Sequence, residues 1–510
     1  MFSTVHSALI YGMQPQEVQV ETDISEGLPV FSMVGDLSSS VREAQARVCT
    51  AIRNAGVTIP ARRITVNMSP AGVRKQGARF DLPLAVSVLA AMGLVRQEIL
   101  KETLIVGELG LDGSIRPVSG ILPTVLFARN MGYKRCLVPR ENVREGSIIG
   151  GIDCVGADAL KEALKLLNHP EERKECELSF ERLMEPHWEY EVDFSEIRGQ
   201  PMVRRAAEVA VAGMHNLLLL GPPGTGKTML AQRLPTIFPK LTLEESIEIS
   251  KIYSVSGMLS EEQPLIARRP FRVPHHTLTA ASLCGGGRNP TPGEVSLAHL
   301  GVLFLDELTE YPKHVLECLR QPMEDGRIQI TRVQGSCVYP AQFMTVAALN
   351  PCPCGYYPDR ERCSCGVRQI RSHLDHISQP LLDRMDLCVE VRQLPYQELH
   401  CRVKGECSEE IRERVEAAVE RQRERYKGTD IRFNSRIPAS RMEEFCPLGR
   451  KEEKRLEEIF QKLELSTRAY HKILKVARTL ADLEGCPVIG IRHLNEAVCF
   501  RSIDKKYWIR

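Results

Sequence analysis

The spacing of apolar residues changes character several times along the chain, and the changes divide it. Over residues 1–165, runs such as "ARRITVNMSP" and "ETLIVGELGL" read as strands. They alternate with "SSSVREAQARVCTAIRNAG" and "DLPLAVSVLAAMG", whose apolar positions recur at helical spacing. This mixture predicts an α+β domain. Residues 166–190, in "NHPEERKECELSFERLMEPHWEYE", are charged and only weakly periodic, and predict a linker with some helix. Residues 191–395 alternate short apolar strands with helices, the pattern of a parallel sheet. Residues 396–510 are strongly helical, as in "SEEIRERVEAAVERQRERY" and "STRAYHKILKVARTLADLEG". A chain of 510 residues is too long for one core, in line with this division.

Composition adds bounds. The hydrophobic and charged fractions, 43% and 26%, are those of a soluble globular protein. No stretch reaches the roughly 18 uninterrupted apolar residues of a membrane helix, and the opening "MFSTVHSALIYGMQ" lacks a basic leader followed by an apolar run. A cytoplasmic protein without a membrane partner is expected. Seventeen cysteines, four of them crowded between Cys352 and Cys365, suit a reducing compartment better than a disulfide framework. A net charge of +2 means that any polyanion would have to meet a local basic patch.

The chemistry is concentrated behind three apolar strands. "HNLLLLGPPGTGKTMLAQRLP" holds the phosphate-loop pattern at Gly221, Pro222, Pro223, Gly224, Thr225, Gly226, Lys227 and Thr228. Its glycines let backbone N–H groups turn around a phosphate chain, Lys227 reaches the terminal phosphates of ATP, and the Thr228 hydroxyl suits Mg²⁺. "GVLFLDEL" ends a second strand in Asp306, suited to the magnesium shell, and Glu307, placed to polarise an attacking water. A helix cap after a buried strand is the competing reading of Asp306. "FMTVAALN" ends a third strand at Asn350, which either orients that water and senses the γ-phosphate or is a buried, hydrogen-bonded amide.

"GPPGTGKT", "PFRVPHHTLTAASLCGGGRNPTPGEVSLAHLGVLFLDEL", "NPCPCG" and "PLLDRMDL", in this order, resemble the magnesium-chelatase-like AAA+ ATPases of the YifB/ComM family, and the likeness spans essentially the whole chain. The resemblance implies an ATP-driven homo-oligomeric ring, a hexamer. For the competence branch of the family it implies a DNA helicase driving branch migration in natural transformation. It makes Lys227 and Thr228 the Walker A ligands, Asp306 and Glu307 the Walker B pair and Asn350 sensor 1. Arg384 in "LLDRMD" matches the arginine finger, with a structural ion pair to Asp383 or Asp386 as the alternative. Arg468 matches sensor 2 on a helical lid, with Arg478 as the competing choice.

The implied fold is an amino-terminal S5/Lon-protease-like α+β domain, an AAA+ P-loop α/β core with hairpin insertions, and a carboxy-terminal helical lid. At the Lon-like positions Arg79, Phe80 and Asp81 stand where a catalytic serine would lie, and Leu122 and Pro123 stand near the expected lysine, so no peptidase is expected. In "ARRPFRVPHHTLTAASLCGGGRNPTPGE", Arg268, Arg269, Arg272 and Arg288 are candidate contacts to single-stranded or branched DNA. "GRIQITRVQGSCVYPAQFMTV" reads as a hairpin around "QGS". In the loop 352–365, Cys352, Cys354, Cys363 and Cys365 offer four thiolates to a structural Zn²⁺, against four free thiols. A ring motor on DNA is the leading expectation. A chelatase-type or chaperone-like ATPase remodelling a protein partner is the alternative.

Overall fold

Leu217–Leu220 is four consecutive leucines, all buried, a strand sealed on both faces. Each such side chain contributes about 2 kcal/mol of apolar burial, which favours a central place in a sheet covered by helices. In the computed structural model, which describes residues 1–173, 180–184, 190–287, 290–332, 335–399, 405–501 and 507, the strand does lie between two parallel neighbours. The sheet runs Phe271–Arg272, Val302–Leu305, Met344–Leu349, Leu217–Leu220, Leu387–Glu390, every pairing parallel. Leu220 is level with Leu349 and Leu305 with Ala347, so the residues following three strands emerge at one edge. Ligands of parallel sheets gather at that edge.

The amino-terminal domain is a separate seven-stranded sheet, ordered Phe31–Val34, Arg63–Ser69, Gln14–Ser25, Phe2–Tyr11, Thr103–Ile105, Arg135–Pro139, Asp153–Ala157. The helix Asp81–Ala91, all of whose residues are buried, and the helix Ser39–Asn54 cover it. It touches the core sheet's domain at several places, two of which are specific. The Gly120 amide and the Glu145 carboxylate bond the Ser254 carbonyl and hydroxyl, at 2.9 and 2.5 Å. At the turn after Tyr11, Gly12 sits at φ +63° with Cys337 so close that a Cβ there would lie 2.5 Å from the Cys337 Cβ.

The expected hairpin insertion is present. Arg327–Arg332 pairs antiparallel with Gly335–Pro340, Arg332 opposite Gly335.

The carboxy-terminal helices Ser408–Arg425, Arg450–Leu463, Thr467–Leu483 and Ile491–Cys499 share an apolar cluster with the helix Pro201–Gly213 and add polar bonds to it. Arg414 pairs with Glu208, Arg205 with Glu496, and Gln422 donates to the Ala212 carbonyl. No described helix is long and apolar enough to cross a membrane.

Candidate nucleotide site

The three strand ends deliver their polar residues to one point. Lys227 is buried, and its ammonium donates to the Gly221 and Pro222 carbonyls at 2.7 and 2.8 Å and to Asn350 Oδ1 at 3.0 Å. The Thr228 hydroxyl donates to Asp306 Oδ2 at 2.8 Å. Burial draws the Lys227 ammonium down to about 8 against the opposing pull of Asp306 and Glu307. Its three bonds go to groups that a phosphate chain would displace, so the site holds the charge in reserve for an anion.

Glu307 is exposed and adopts φ +49°, ψ +52°, a left-handed conformation that costs a non-glycine residue about 1 kcal/mol. The amide of Glu307 meets Asp306 Oδ1 at 3.0 Å. Gly221 needs its missing side chain, because a Cβ there would stand 2.2 Å from the Val391 carbonyl oxygen.

Arg384 and Arg468 are elsewhere. They line a shared cavity of about 400 Å³ together with Glu324, Arg436, Lys472 and Lys475, and no phosphate-loop residue lines it. Arg384 does not use the carboxylates beside it in sequence. Its guanidinium pairs with Glu324 and donates to the Arg320 and Pro380 carbonyls at 2.9 and 2.7 Å. Asp386 serves Lys472 and the Asn216 amide instead, at 3.1 and 3.0 Å. Burial alone would raise the Asp386 carboxyl, yet Lys472 and His215 hold it well below the usual carboxylate range.

Burial separates Arg468 from Arg478. Arg478 is 1% exposed, paired with Asp482 and bonded to the Cys486 and Pro487 carbonyls, whereas Arg468 is exposed at the cavity.

The four clustered cysteines converge. Cys352 Sγ lies 3.3 Å from Cys354 Sγ and 3.7 Å from Cys363 Sγ, Cys354 and Cys363 are 3.6 Å apart, and Cys365 completes a group whose sulfurs all lie within 4.8 Å. Four thiolates about 2.3 Å from one Zn²⁺ would be about 3.8 Å apart, so the set fits that ion. The Tyr356 amide pulls the Cys354 thiol below its ordinary value. The loop is wedged against the site on two sides. Gly355 leaves room for Pro223 of the phosphate loop, where a Cβ would come within 2.4 Å of the ring. Just past the loop, His373 Nε2 donates to the Asn350 carbonyl at 3.1 Å.

The expected DNA arginines need correction. Arg269 is buried and spent on the Pro239 and Leu300 carbonyls and on Glu245, so it cannot meet a phosphate. Arg272 forks onto both oxygens of Glu294 at 2.7 and 2.8 Å. Arg268 is exposed and stands 5.1 Å over the Tyr190 ring. Arg288 lies outside the described residues.

In the amino-terminal domain, Phe80 is core and Asp81 is forked by Arg47 at 2.8 and 3.0 Å. Arg79 reaches Thr124 Oγ1 at 3.1 Å, beside the buried Leu122 and Pro123.

Sequence reasoning missed Glu324, His373, Arg436, Lys472 and Lys475. Two of them had a signal: Arg468, Lys472 and Lys475 are spaced by four and three and therefore share one helix face.

Three family models match the chain in succession: subunit ChlI of magnesium chelatase over residues 20–142, magnesium chelatase subunit ChlI over 193–399, and the carboxy-terminal part of that subunit over 405–501. YifB of Escherichia coli K12 is 40% identical over 506 residues, covering 99% of this chain and 97% of the relative. The competence protein ComM of Haemophilus influenzae is 41% identical over 503 residues, 98% of this chain and 97% of the relative. A shorter likeness, 26% identity over 157 residues, covers 29% of the chain and 28% of Lon protease 2 of Bacillus subtilis.

Proposed function

The chain belongs to the YifB/ComM family of magnesium-chelatase-like AAA+ ATPases, and from that premise we propose that it is an ATP-hydrolysing ring motor acting on DNA, a helicase or branch-migration factor of the ComM type. The observation that carries the reading is the division of the chemistry. Lys227 bonds Asn350 and Thr228 bonds Asp306 at one edge of the sheet, while Arg384 and Arg468 line a cavity that no phosphate-loop residue lines. A guanidinium in a cavity apart from its own chain's phosphate loop is suited to serve a neighbour's, as in a hexameric ring.

In this reading Lys227 grips the terminal phosphates and the phosphate-loop amides cradle the chain. Thr228 and Asp306 hold Mg²⁺, which when bound neutralises charge on the phosphates. Glu307 polarises the attacking water and Asn350 orients it. Arg384 and Arg468 reach the adjoining subunit's phosphates to stabilise the charge of phosphoryl transfer. Cys352, Cys354, Cys363 and Cys365 hold a structural Zn²⁺ whose closed thiolate shell leaves no position for catalysis.

DNA backbone is gripped through the insertions. The Arg332 guanidinium lies 3.4 Å from where a Cβ of Gly286 would stand, so the hairpin and the glycine run meet, with Arg268 as a further candidate.

The test is the ATPase rate with and without single-stranded and forked DNA. Stimulation that weakens steeply with added salt is expected. No stimulation and no binding at low salt would overturn the motor in favour of a remodeller of protein partners.

A further inference from the structure

A second cleft, of about 380 Å³, opens between the amino-terminal domain and the core. One wall is the loop bearing Arg74 and Arg79 and the strand end Leu9–Tyr11. The other is Val255, at the end of the helix Leu243–Val255, with Pro290 and Thr291 of the insertion. This is where the Lon-like domain carries Arg79 in contact with Thr124.

The cleft is charged but undersupplied with partners. Glu108 is the one acid among its described lining residues, against two guanidiniums. The Nε atoms of Arg74 and Arg79 and the Tyr11 hydroxyl are buried, and none has a hydrogen-bond partner among the described residues. Glu145, the buried carboxylate that acts on Arg79, is already engaged by the Leu122 amide at 2.9 Å, by Ser254 and by Asn142. Burial lowers the Arg79 guanidinium to about 10, which leaves it a full cation at neutral pH, poorly solvated and short of counter-charge. Leu9, Ile10, Val118 and Val255 make the remainder of the wall apolar.

We propose that this cleft is a second ligand site, which takes a phosphate group carried on a nucleoside. Arg74 and Arg79 would bind the phosphate, since paired guanidiniums match its geometry and would gain the acceptors they lack. The apolar wall and the volume suit the nucleoside, pockets of roughly 300–1,000 Å³ being usual for such ligands. The phosphate comes either from a free nucleotide or from a nucleic-acid strand, and a ligand seated there touches both domains at once. The inference stands apart from the motor reading, and deepens it when the strand is the source.

The test uses the full-length protein loaded with one equivalent of Mg-ADP per chain to fill its phosphate loop, with unbound ADP removed. Equilibrium dialysis measures binding of thymidine monophosphate, of a 5′-phosphorylated oligothymidylate and of thymidine itself. Wild-type protein is expected to bind at least one phosphorylated probe, and thymidine at least tenfold more weakly. Arg74→Gln and Arg79→Gln should each lose tenfold or more while Mg-ADP affinity is unchanged. Arg79→Gln also removes the contact to Thr124; should it fail to fold, Arg74→Gln, which breaks no such contact, decides alone. Tighter binding of the mononucleotide identifies a free nucleotide as the source, and tighter binding of the oligomer identifies a strand. Absence of binding at millimolar probe, equal binding of thymidine, or variants that bind as wild type each overturn the proposal. Failure of these binding tests with DNA-stimulated hydrolysis intact removes this inference and leaves the motor standing.

Discussion

Single side chains in this protein are poised by the bonds they already make. Lys227 spends its ammonium on two loop carbonyls and Asn350, all partners that phosphate oxygens replace, so Lys227→Ala is expected to weaken ATP binding by about tenfold or more, read by nucleotide titration. Glu307 touches none of them and is exposed, held over the site by its left-handed backbone. Glu307→Gln should therefore bind ATP as wild type and lose about 10²-fold or more in turnover, the scale of a missing general base. Turnover at the wild-type rate would refute its assignment to the water. Asp386 makes a different prediction, of stability. Its carboxyl is held below its unfolded value of 3.8, so its contribution is complete above that value and fades as the pH falls toward the folded one, where the unfolded chain takes up a proton and the folded chain does not. Asp386→Asn strands Lys472 and should cost about 3 kcal/mol at neutral pH. In denaturant melts the gap to wild type should narrow progressively as the pH falls below about 4, and a gap independent of pH would show that charge is not its origin.

At the level of elements, how much was legible depended on whether the information was local. The buried strands at Leu217, Val302 and Met344 announce themselves by unbroken apolar runs, and the residues that follow them, Lys227 to Thr228, Asp306 and Asn350, were legible for the same reason. Arg269 and Arg272 were misread because charge in a loop looks solvent-facing in sequence, whereas their partners Glu245 and Glu294 lie 24 and 22 residues away. Glu324, the partner of Arg384 at a separation of 60 residues, was invisible on the same grounds. The cysteine loop was legible as a cluster, but its wedge between Pro223 and the Asn350 strand was not, because Gly355 signals only a turn until the neighbouring ring is seen. That wedge sharpens the metal prediction. Purified protein should carry about one zinc per chain by elemental analysis. Replacing Cys363 and Cys365 with serine should release it, since a loop of this composition has no core of its own. ATP binding should fall by less than about tenfold, because Lys227 and the loop glycines remain. Hydrolysis should fall further, because the Asn350 carbonyl loses the order of its surroundings. Metal-free protein with full activity would return the four residues to free thiols.

At the scale of the whole molecule, the proposed motor has its phosphate loop and its arginines on two surfaces, and in that reading assembly is a chemical requirement. Within one chain Arg384 is satisfied by Glu324 and two carbonyls, and in the proposed ring it exchanges that ion pair for a neighbour's phosphates. Lys472 and Lys475, fixed to Asp386 and the Ser435 carbonyl, line the same cavity, and with Arg436 they keep it basic around that exchange. Removal of Arg384 should accordingly spare the chain's own nucleotide affinity while lowering its neighbour's rate by about 10³-fold, the scale of an arginine finger. Arg384→Ala is thus expected to bind ATP within about twofold of wild type and to be nearly inactive. Lys227→Ala is inactive for the complementary reason, having an intact finger but no competent pocket. Mixing the two should restore hydrolysis, since some interfaces then join a wild-type pocket from the Arg384→Ala chain to a wild-type finger from the Lys227→Ala chain. The recovered rate should pass through a maximum at intermediate mixing ratios. A finger acting within its own chain allows no such recovery, so mixed rings that demonstrably form and stay inactive at every ratio would exclude the trans arrangement.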